Sequence, residues 1–330
     1  MDFKQIVGHE KLIEHLQNAI RMDKVSHAYI FNGEDGVGKN LMANCFSMAL
    51  ECEEGGVCAC GHCKSCLQAI SGNHPDIIRV NHEKSVISVD DIRLQLNSDI
   101  LIKPYSSRKK IYIVDEAEKM NEQAQNALLK TLEEPPEYAV ILLLTNNSSR
   151  FLPTILSRCI TLNFKPVAKE KIKTYLMEQY QIPDYQAELS AEFSAGNLGK
   201  AILYSSSEEF GEIKDEVVHI LKYLREMEYQ ELLEALKYFS EKKQAMDECL
   251  DLMVLWFRDV LIFKATRDAN RVLYKKELSE IRSQARVISF EGLNEILEAI
   301  SKLRLRLKAN VNFEVAAELM LLTIQDYLKN

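Results

Sequence analysis

The chain contains 330 residues, with 41 Lys or Arg against 49 Asp or Glu, and it therefore carries a formal net charge of −8. This length suits roughly two or three domains, and the acidic balance excludes a basic nucleic-acid module, so any DNA contact must come from local patches or partner subunits. The N-terminus lacks a basic region leading into an apolar core, and no apolar window approaches roughly 18 residues, so we expect a soluble, cytoplasmic protein.

The first motif along the chain is a glycine-rich loop after a predicted strand at residues 28–31. Residues 33–40 read Gly-Glu-Asp-Gly-Val-Gly-Lys-Asn. Apart from the last position, they match the phosphate-binding loop G-x-x-x-x-G-K-[ST], in which backbone N–H groups and the lysine bind phosphate while the hydroxyl binds Mg²⁺. The candidate nucleotide-binding residues are Gly33, Gly36, Gly38, Lys39 and Asn40. Because Asn40 replaces the hydroxyl, the loop would keep the shape of a nucleotide site without its usual metal ligand; an ordinary glycine-rich turn is the alternative.

The helix predicted after this loop leads into a cluster of cysteines. Cys60, Cys63 and Cys66 are spaced by three residues, which is typical of a tetrahedral Zn²⁺ site in a reducing compartment. Cys52 is the predicted fourth ligand, and Cys58 competes for that place. A closed site with four ligands is structural rather than catalytic, and a redox or disulfide role is the alternative.

Acidic residues follow the next strongly apolar run, residues 110–114, which predicts a buried parallel strand. Asp115 and Glu116 would lie at the carboxyl end of this strand, where open α/β sheets bind ligands. Asp115 would hold Mg²⁺ through its water shell and Glu116 would orient the attacking water. A helix start rich in acidic residues is the alternative.

A further strand is predicted at residues 139–144, after an amphipathic helix at residues 120–134. Asn146 follows this strand, where a polar side chain can reach a γ-phosphate or an attacking water; a strand-terminating turn is equally compatible. His74 precedes Pro75 in a loop, and we expect it to be solvated or to act as a cap rather than to bind the metal.

Two runs of residues carry a family resemblance that covers essentially the whole chain. They are Asn-Ala-Leu-Leu-Lys-Thr-Leu-Glu-Glu-Pro-Pro at residues 126–136 and Leu-Pro-Thr-Ile-Leu-Ser-Arg-Cys at residues 152–159. With these runs the chain resembles bacterial DNA polymerase III clamp-loader subunits of the AAA+ class. The cysteine cluster followed by Gly-Asn-His-Pro-Asp at residues 72–76 is similar to a non-motor subunit of that family.

The resemblance implies a fold of three parts. Residues 1–165 would form an α/β P-loop NTPase domain of the AAA+ class, with an inserted zinc module at about residues 52–66. Residues 166–207 would form a small helical lid domain. Residues 208–330 would form an all-α collar domain that holds the subunits in a ring, and the near absence of Gly and Pro in this last third independently predicts a helix bundle.

The resemblance also implies a stator that loads the sliding clamp onto primed DNA together with the motor (gamma/tau) subunits and the delta subunit. Arg158 would act in trans as an arginine finger toward ATP on the neighbouring motor subunit. A surface salt bridge is the alternative role of Arg158. The whole assembly would have DNA-directed DNA polymerase activity, a nucleotidyl transfer.

This chain departs from the motor subunits of the family at two positions. Asn40 replaces their Ser or Thr, and Gly199 stands where they carry a sensor arginine; an alignment shifted by one residue would instead place the cation of Lys200 there. Since phosphoryl transfer depends on positioning and charge stabilisation, we expect no intrinsic catalysis, while Lys39, Asp115 and Glu116 leave ATP and Mg²⁺ binding open. The alternative is that the chain is itself a gamma/tau-type motor ATPase.

Overall fold

A computed structural model of the protein describes residues 2–82, 86–309 and 311–329. The chain divides into two compact units, Met1–Ile202 and Leu203–Asn330. The first unit contains a β-sheet, and the second is helical throughout its regular structure.

The first unit is built on a five-stranded parallel sheet with strand order β2-β3-β4-β1-β5. Its strands are β1 Ala28–Asn32, β2 Ile77–Val80, β3 Lys110–Val114, β4 Ala139–Thr145 and β5 Ile160–Asn163. The strands predicted from the apolar runs at residues 28–31, 110–114 and 139–144 are thereby confirmed, and the α/β class with them.

The central strands are apolar on both faces because both faces are covered. All seven residues of β4 are buried. Ile141 and Leu143 belong to one apolar core, whereas Val140, Leu142 and Leu144 belong to another on the opposite face. Strands of a parallel sheet that is buried on both faces are apolar along their length. The polar residues of the predicted site therefore follow these strands, at the edge of the sheet where the strands end.

The helices of the first unit connect the strands and then continue beyond the sheet. They are α1 Glu10–Arg21, α2 Lys39–Glu51, α3 Lys64–Ile70, α4 Val89–Ile92, α5 Glu122–Glu133, α6 Pro153–Leu156, α7 Lys169–Tyr180 and α8 Asp184–Phe193. The next helix, α9 Leu198–Ser206, begins in the first unit and ends in the second. Helices α7, α8 and α9 share a separate small core that includes Ile172, Leu176 and Ala201.

The second unit is a set of packed helices around one long apolar helix. These helices are α10 Glu208–Tyr223, α11 Tyr229–Glu241, α12 Met246–Thr266, α13 Leu278–Val287, α14 Phe290–Lys308 and α15 Phe313–Lys329. Trp256 on α12 is fully buried and donates its indole N–H to the side-chain oxygen of Gln284 at 2.8 Å. The predicted helical C-terminal domain is confirmed. Among the described residues of the two units, no helix combines the length and the apolar character needed to cross a bilayer.

Candidate nucleotide and metal sites

The glycine-rich loop lies between β1 and α2, at the carboxyl edge of the sheet. The backbone N–H of Gly33 donates to the carbonyl oxygen of Thr145 at the end of β4, at 3.0 Å. Gly36 and Gly38 have φ angles of +88° and +99°, a region that residues with a Cβ atom rarely adopt. Helix α2 begins at Lys39, so its N-terminal N–H groups lie at the loop, as in a phosphate-binding site.

Lys39 is turned back into its own loop. Its side chain is only 6% exposed, and Nζ donates to the carbonyl oxygen of Gly33, to that of Glu34 at 2.9 Å and to Oδ1 of Asp35 at 3.1 Å. An ammonium group has three donors, and all three are used. A phosphate group would therefore have to replace these contacts in order to bind Lys39.

Asn40 contacts the predicted metal carboxylate directly. Its Nδ2 donates to Oδ2 of Asp115 at 2.7 Å, while its Oδ1 accepts from Nη1 of Arg79 at 3.2 Å. Magnesium prefers oxygen ligands, but here an amide N–H faces the carboxylate and a guanidinium lies on the other side of the amide. The residues at this position do not fit a bound magnesium ion. Arg79 was not identified from the sequence, where one exposed arginine in a short strand gave no signal.

The other predicted residues of the nucleotide site lie along the same edge. Glu116 follows β3 with a φ of +48°, and its Oε2 lies 2.7 Å from Nζ of Lys119 and 3.5 Å from Nε2 of His82. Asn146 follows β4 and is exposed, and its backbone N–H donates to Glu118 at 3.4 Å. The sheet thus brings the ends of β1, β3 and β4 together, as parallel pairing requires.

The start of α9 packs directly against the glycine-rich loop. The side chain of Asn197 donates to the carbonyl oxygen of Asp35 at 2.7 Å. The backbone N–H of Gly199 donates to the carbonyl oxygen of Gly36 at 2.9 Å. A Cβ atom on Gly199 would lie only 2.7 Å from Cα of Gly36. The absence of a side chain at Gly199 therefore has a structural reason, because it allows this close backbone approach.

The sulfur atoms of Cys52, Cys60, Cys63 and Cys66 all lie within 4.8 Å of one another. Backbone N–H groups donate to three of these sulfurs, at distances of 3.3–3.4 Å. The N–H of Cys60 donates to the sulfur of Cys52, the N–H of Cys63 to the sulfur of Cys60, and the N–H of Cys66 to the sulfur of Cys63. Cys58 lies outside this set, and its sulfur accepts from Gln17 at 3.3 Å. Four sulfurs this close together, three of them with an N–H group directed at them, are suited to a tetrahedral thiolate site.

The protonation of these thiols reflects their surroundings. Burial raises the pKa of Cys63, but hydrogen bonds from the backbone N–H groups of Cys66 and Glu53 and from the side chains of Cys66 and Cys60 together lower the pKa to about 7. Burial raises the pKa of Cys66 to about 12. A bound cation would draw the protons from both, because metal ligation requires thiolates.

His74 is buried, so the expectation of a solvated histidine is wrong, whereas the alternative of a capping histidine agrees with its contact to a backbone N–H. Its Nδ1 accepts the backbone N–H of Asp76 at 3.1 Å, and its Nε2 lies 3.0 Å from the hydroxyl oxygen of Ser65. In the neutral ring, Nε2 then carries the proton and donates to Ser65, whose hydroxyl donates to the carbonyl oxygen of Glu51 at 2.6 Å. Burial lowers the pKa of His74. This chain of hydrogen bonds ties the loop before β2 to the end of α2 beside the cysteines.

Arg158 follows the short helix α6 and lies on the surface. Its Nη2 lies 2.8 Å from a carboxylate oxygen of Glu133 at the end of α5, and its Nη1 donates to the carbonyl oxygen of Thr154 at 3.0 Å. The side chains of Arg158 and Glu133 are 35% and 52% exposed. The ion pair of the alternative interpretation is therefore present, and because it is solvent-accessible it leaves the guanidinium able to exchange partners.

Known proteins resemble this chain along nearly its whole length. The family model described as "DNA polymerase III, delta subunit" matches residues 8–168, and "DNA polymerase III, delta subunit, C terminal" matches residues 211–326. The DNA polymerase III subunit delta-prime of Bacillus subtilis is 30% identical over 321 residues, which cover 96% of each chain. Subunit tau of the same organism is 29% identical over 95% of this chain and 60% of that protein.

A solved structure, a DNA polymerase III gamma subunit-related protein from Thermotoga maritima, covers 95% of this chain and 99% of its own, at 21% identity and a TM-score of 0.47. The match to the delta-prime subunit and the two family models span both the unit that contains the glycine-rich loop and the C-terminal helices. The chain therefore belongs to the delta-prime family of DNA polymerase III clamp-loader subunits, which act in DNA replication.

Proposed function

We propose that this chain acts in the clamp loader as a stator that contributes Arg158 in trans to ATP bound on a neighbouring motor subunit. The observation that carries the proposal is the state of Arg158. Its guanidinium is accessible, and its partners are one exposed carboxylate, that of Glu133, and the carbonyl oxygen of Thr154. A planar guanidinium that stays charged can exchange such a partner for two phosphate oxygens.

The chain's own phosphate loop supports a stator rather than a motor. Lys39 is saturated by its own loop, Asn40 faces Asp115 with its amide N–H, and α9 packs on Gly36. Phosphoryl transfer requires that the lysine contact phosphate, that the carboxylate bind metal and that the nucleotide reach the loop. The three contacts compete with these requirements in that order. The alternative role as a gamma/tau-type motor therefore has no support from the loop geometry, and we propose that Asp115, Glu116 and Asn146 are remnants of an ATPase site.

We further propose that Cys52, Cys60, Cys63 and Cys66 hold a structural zinc ion. With four thiolates the site has no open position for water, so zinc would supply stability rather than catalysis. The backbone N–H groups at three sulfurs would support thiolate charge, and the hydrogen-bonded set of His74, Ser65 and Glu51 would fix the module against α2.

The remaining assignments follow the family. We propose that residues 1–165 form the AAA+ domain, residues 166–207 the lid and residues 208–330 a collar that binds other subunits in the ring. The partners would be the motor (gamma/tau) and delta subunits, the sliding clamp and, through the complex, primed DNA in the cytoplasm.

The experiment that tests the stator role is Arg158→Ala in a reconstituted clamp loader. Loss of an arginine finger lowers the rate of hydrolysis by about 10³-fold or more at the ATP site that it serves. Steady-state ATP turnover on primed DNA should therefore fall by at least the fraction of the total rate that this one site contributes, and clamp loading should slow. The isolated variant should stay folded, with unfolding free energy within about 1 kcal/mol of the native chain, because the ion pair is exposed.

Arg150→Ala is the matched control. Arg150 is an exposed arginine eight residues earlier in the chain, and its removal should leave ATP turnover and clamp loading unchanged. Native turnover and loading rates in the Arg158→Ala complex would refute the assignment of the finger.

A further inference from the structure

A hydrogen-bonded network of four side chains spans the place where a phosphate-loop ATPase binds its metal. Arg79 is the third residue of β2 and pairs with Ile113 of the neighbouring strand β3. Asp115 follows the carboxyl end of β3, so Arg79 and Asp115 lie on adjacent strands near the same edge of the sheet. Its Nη1 donates to Oδ1 of Asn40 at 3.2 Å and its Nη2 to Oδ1 of Asn44 at 2.6 Å. Asn40 and Asn44 are four residues apart on α2, so they share one helix face, and the planar guanidinium bridges them.

The network fixes the orientation of the Asn40 amide. Guanidinium groups only donate and carboxylates only accept, so Oδ1 of Asn40 must face Arg79 and Nδ2 must face Asp115. Both oxygens of Asp115 are used, since Oδ2 accepts from Asn40 at 2.7 Å and Oδ1 accepts the backbone N–H of Glu116 at 3.0 Å. Within the described ranges, no carboxylate lies within 4.0 Å of the Arg79 guanidinium. Hydrogen bonds therefore connect the guanidinium of Arg79 to the carboxylate of Asp115 through the single side-chain amide of Asn40.

We propose that Arg79, through Asn40, takes the place of the magnesium ion at this chain's own phosphate loop and thereby excludes magnesium-bound nucleotide from it. Arg79 is the determinant, and Asn40 is its relay to Asp115. This goes beyond the stator role and does not depend on it, because it concerns the chain's own site and not the contribution of Arg158 to a neighbour.

The network explains why restoring the missing hydroxyl is insufficient. In Asn40→Thr, the guanidinium keeps its contact with Asn44 and faces Asp115 without the intervening amide. A cation approaching Asp115 then meets a fixed like charge. Removal of Arg79 as well frees the carboxylate to bind a hydrated divalent cation together with the new hydroxyl.

The test is equilibrium binding of a fluorescent ATP analogue to the isolated full chain, measured once with Mg²⁺ and once with EDTA. The native chain and Asn40→Thr should bind the analogue no more tightly with Mg²⁺ than with EDTA. Asn40→Thr combined with Arg79→Ala should bind at least about tenfold more tightly with Mg²⁺, because metal contacts are regained. Adding Asp115→Asn to that double variant should abolish the preference for Mg²⁺.

The matched control is Asn40→Thr combined with Arg93→Ala, which removes an exposed arginine elsewhere and leaves the same net charge. It should behave like Asn40→Thr alone. The proposal is overturned if the native chain or Asn40→Thr alone prefers Mg²⁺, if the Arg79 double variant does not, or if the Arg93 control gains the same preference. Asn40 and Arg79 are exposed, so thermal unfolding of each variant should match that of the native chain.

Discussion

The contact between α9 and the phosphate loop predicts opposite effects for the same substitution at two helical glycines. Gly199 and Gly211 lie in α9 and α10. Propensity alone favours Ala over Gly in a helix by up to about 1 kcal/mol. A Cβ atom at Gly199 would lie 2.7 Å from Cα and 2.9 Å from the carbonyl oxygen of Gly36, whereas at Gly211 it would meet nothing within 4 Å.

The size of the effect follows from these distances. Carbon atoms pack at about 3.5–4.0 Å, so the chain at Gly199 must move by close to 1 Å against backbone atoms, which cannot change rotamer. Overpacking of this kind costs about 1–3 kcal/mol, and the hydrogen bond from the N–H of Gly199 to Gly36 weakens with it. After the gain in helix propensity, Gly199→Ala should destabilise the first unit by about 1–2 kcal/mol. Gly211→Ala should stabilise the second unit by about 0.5–1 kcal/mol.

Urea unfolding with two probes separates the units. Trp256 is the single tryptophan of the chain and lies in the second unit, so its fluorescence reports Gly211→Ala. Hydrogen exchange of the amides in β1 and β4 reports Gly199→Ala. If Gly199→Ala stabilises the first unit as Gly211→Ala stabilises the second, the close approach of α9 to the loop does not exist in solution.

Two further predictions concern the cysteine module. Cys63→Ser should release zinc and lower the melting temperature, while Cys58→Ser should retain the metal because the sulfur of Cys58 lies outside the cluster. Elemental analysis measures the zinc content and thermal unfolding measures the melting temperature. Equal zinc content in the two variants would exclude the proposed ligand set. Burial lowers the pKa of His74 below its ordinary value of 6.5, so the unfolded chain takes up this proton first as the pH falls. The contribution of His74 is then complete above about pH 6.5 and is lost below it, by at most about 1.4 kcal/mol per pH unit. The stability advantage of the native chain over His74→Gln should accordingly shrink between about pH 7 and 5.5, and a constant difference across that range would contradict a buried neutral ring.

Local sequence was sufficient to predict the parts of the site that depend on short-range chemistry. The apolar runs predicted β1, β3 and β4 because strands of a parallel sheet are buried on both faces. The glycine-rich loop and the carboxylates were predicted at one edge because parallel strands end together. The helical C-terminal unit followed from the near absence of Gly and Pro.

Tertiary structure alone decided how these parts are connected. His74 looked like a loop residue, but the packing of α3 against α2 encloses it. Arg79 and Asn40 are 39 residues apart, and Gly36 and Gly199 are 163 apart, so no local pattern links them. An exposed arginine or a single glycine has no periodic signal, and its partners are set by the order of strands and the position of α9. The sequence by itself determined a phosphate loop without a hydroxyl, and the folded chain decided which groups stand where the metal would be, because these contacts form only when distant segments pack together.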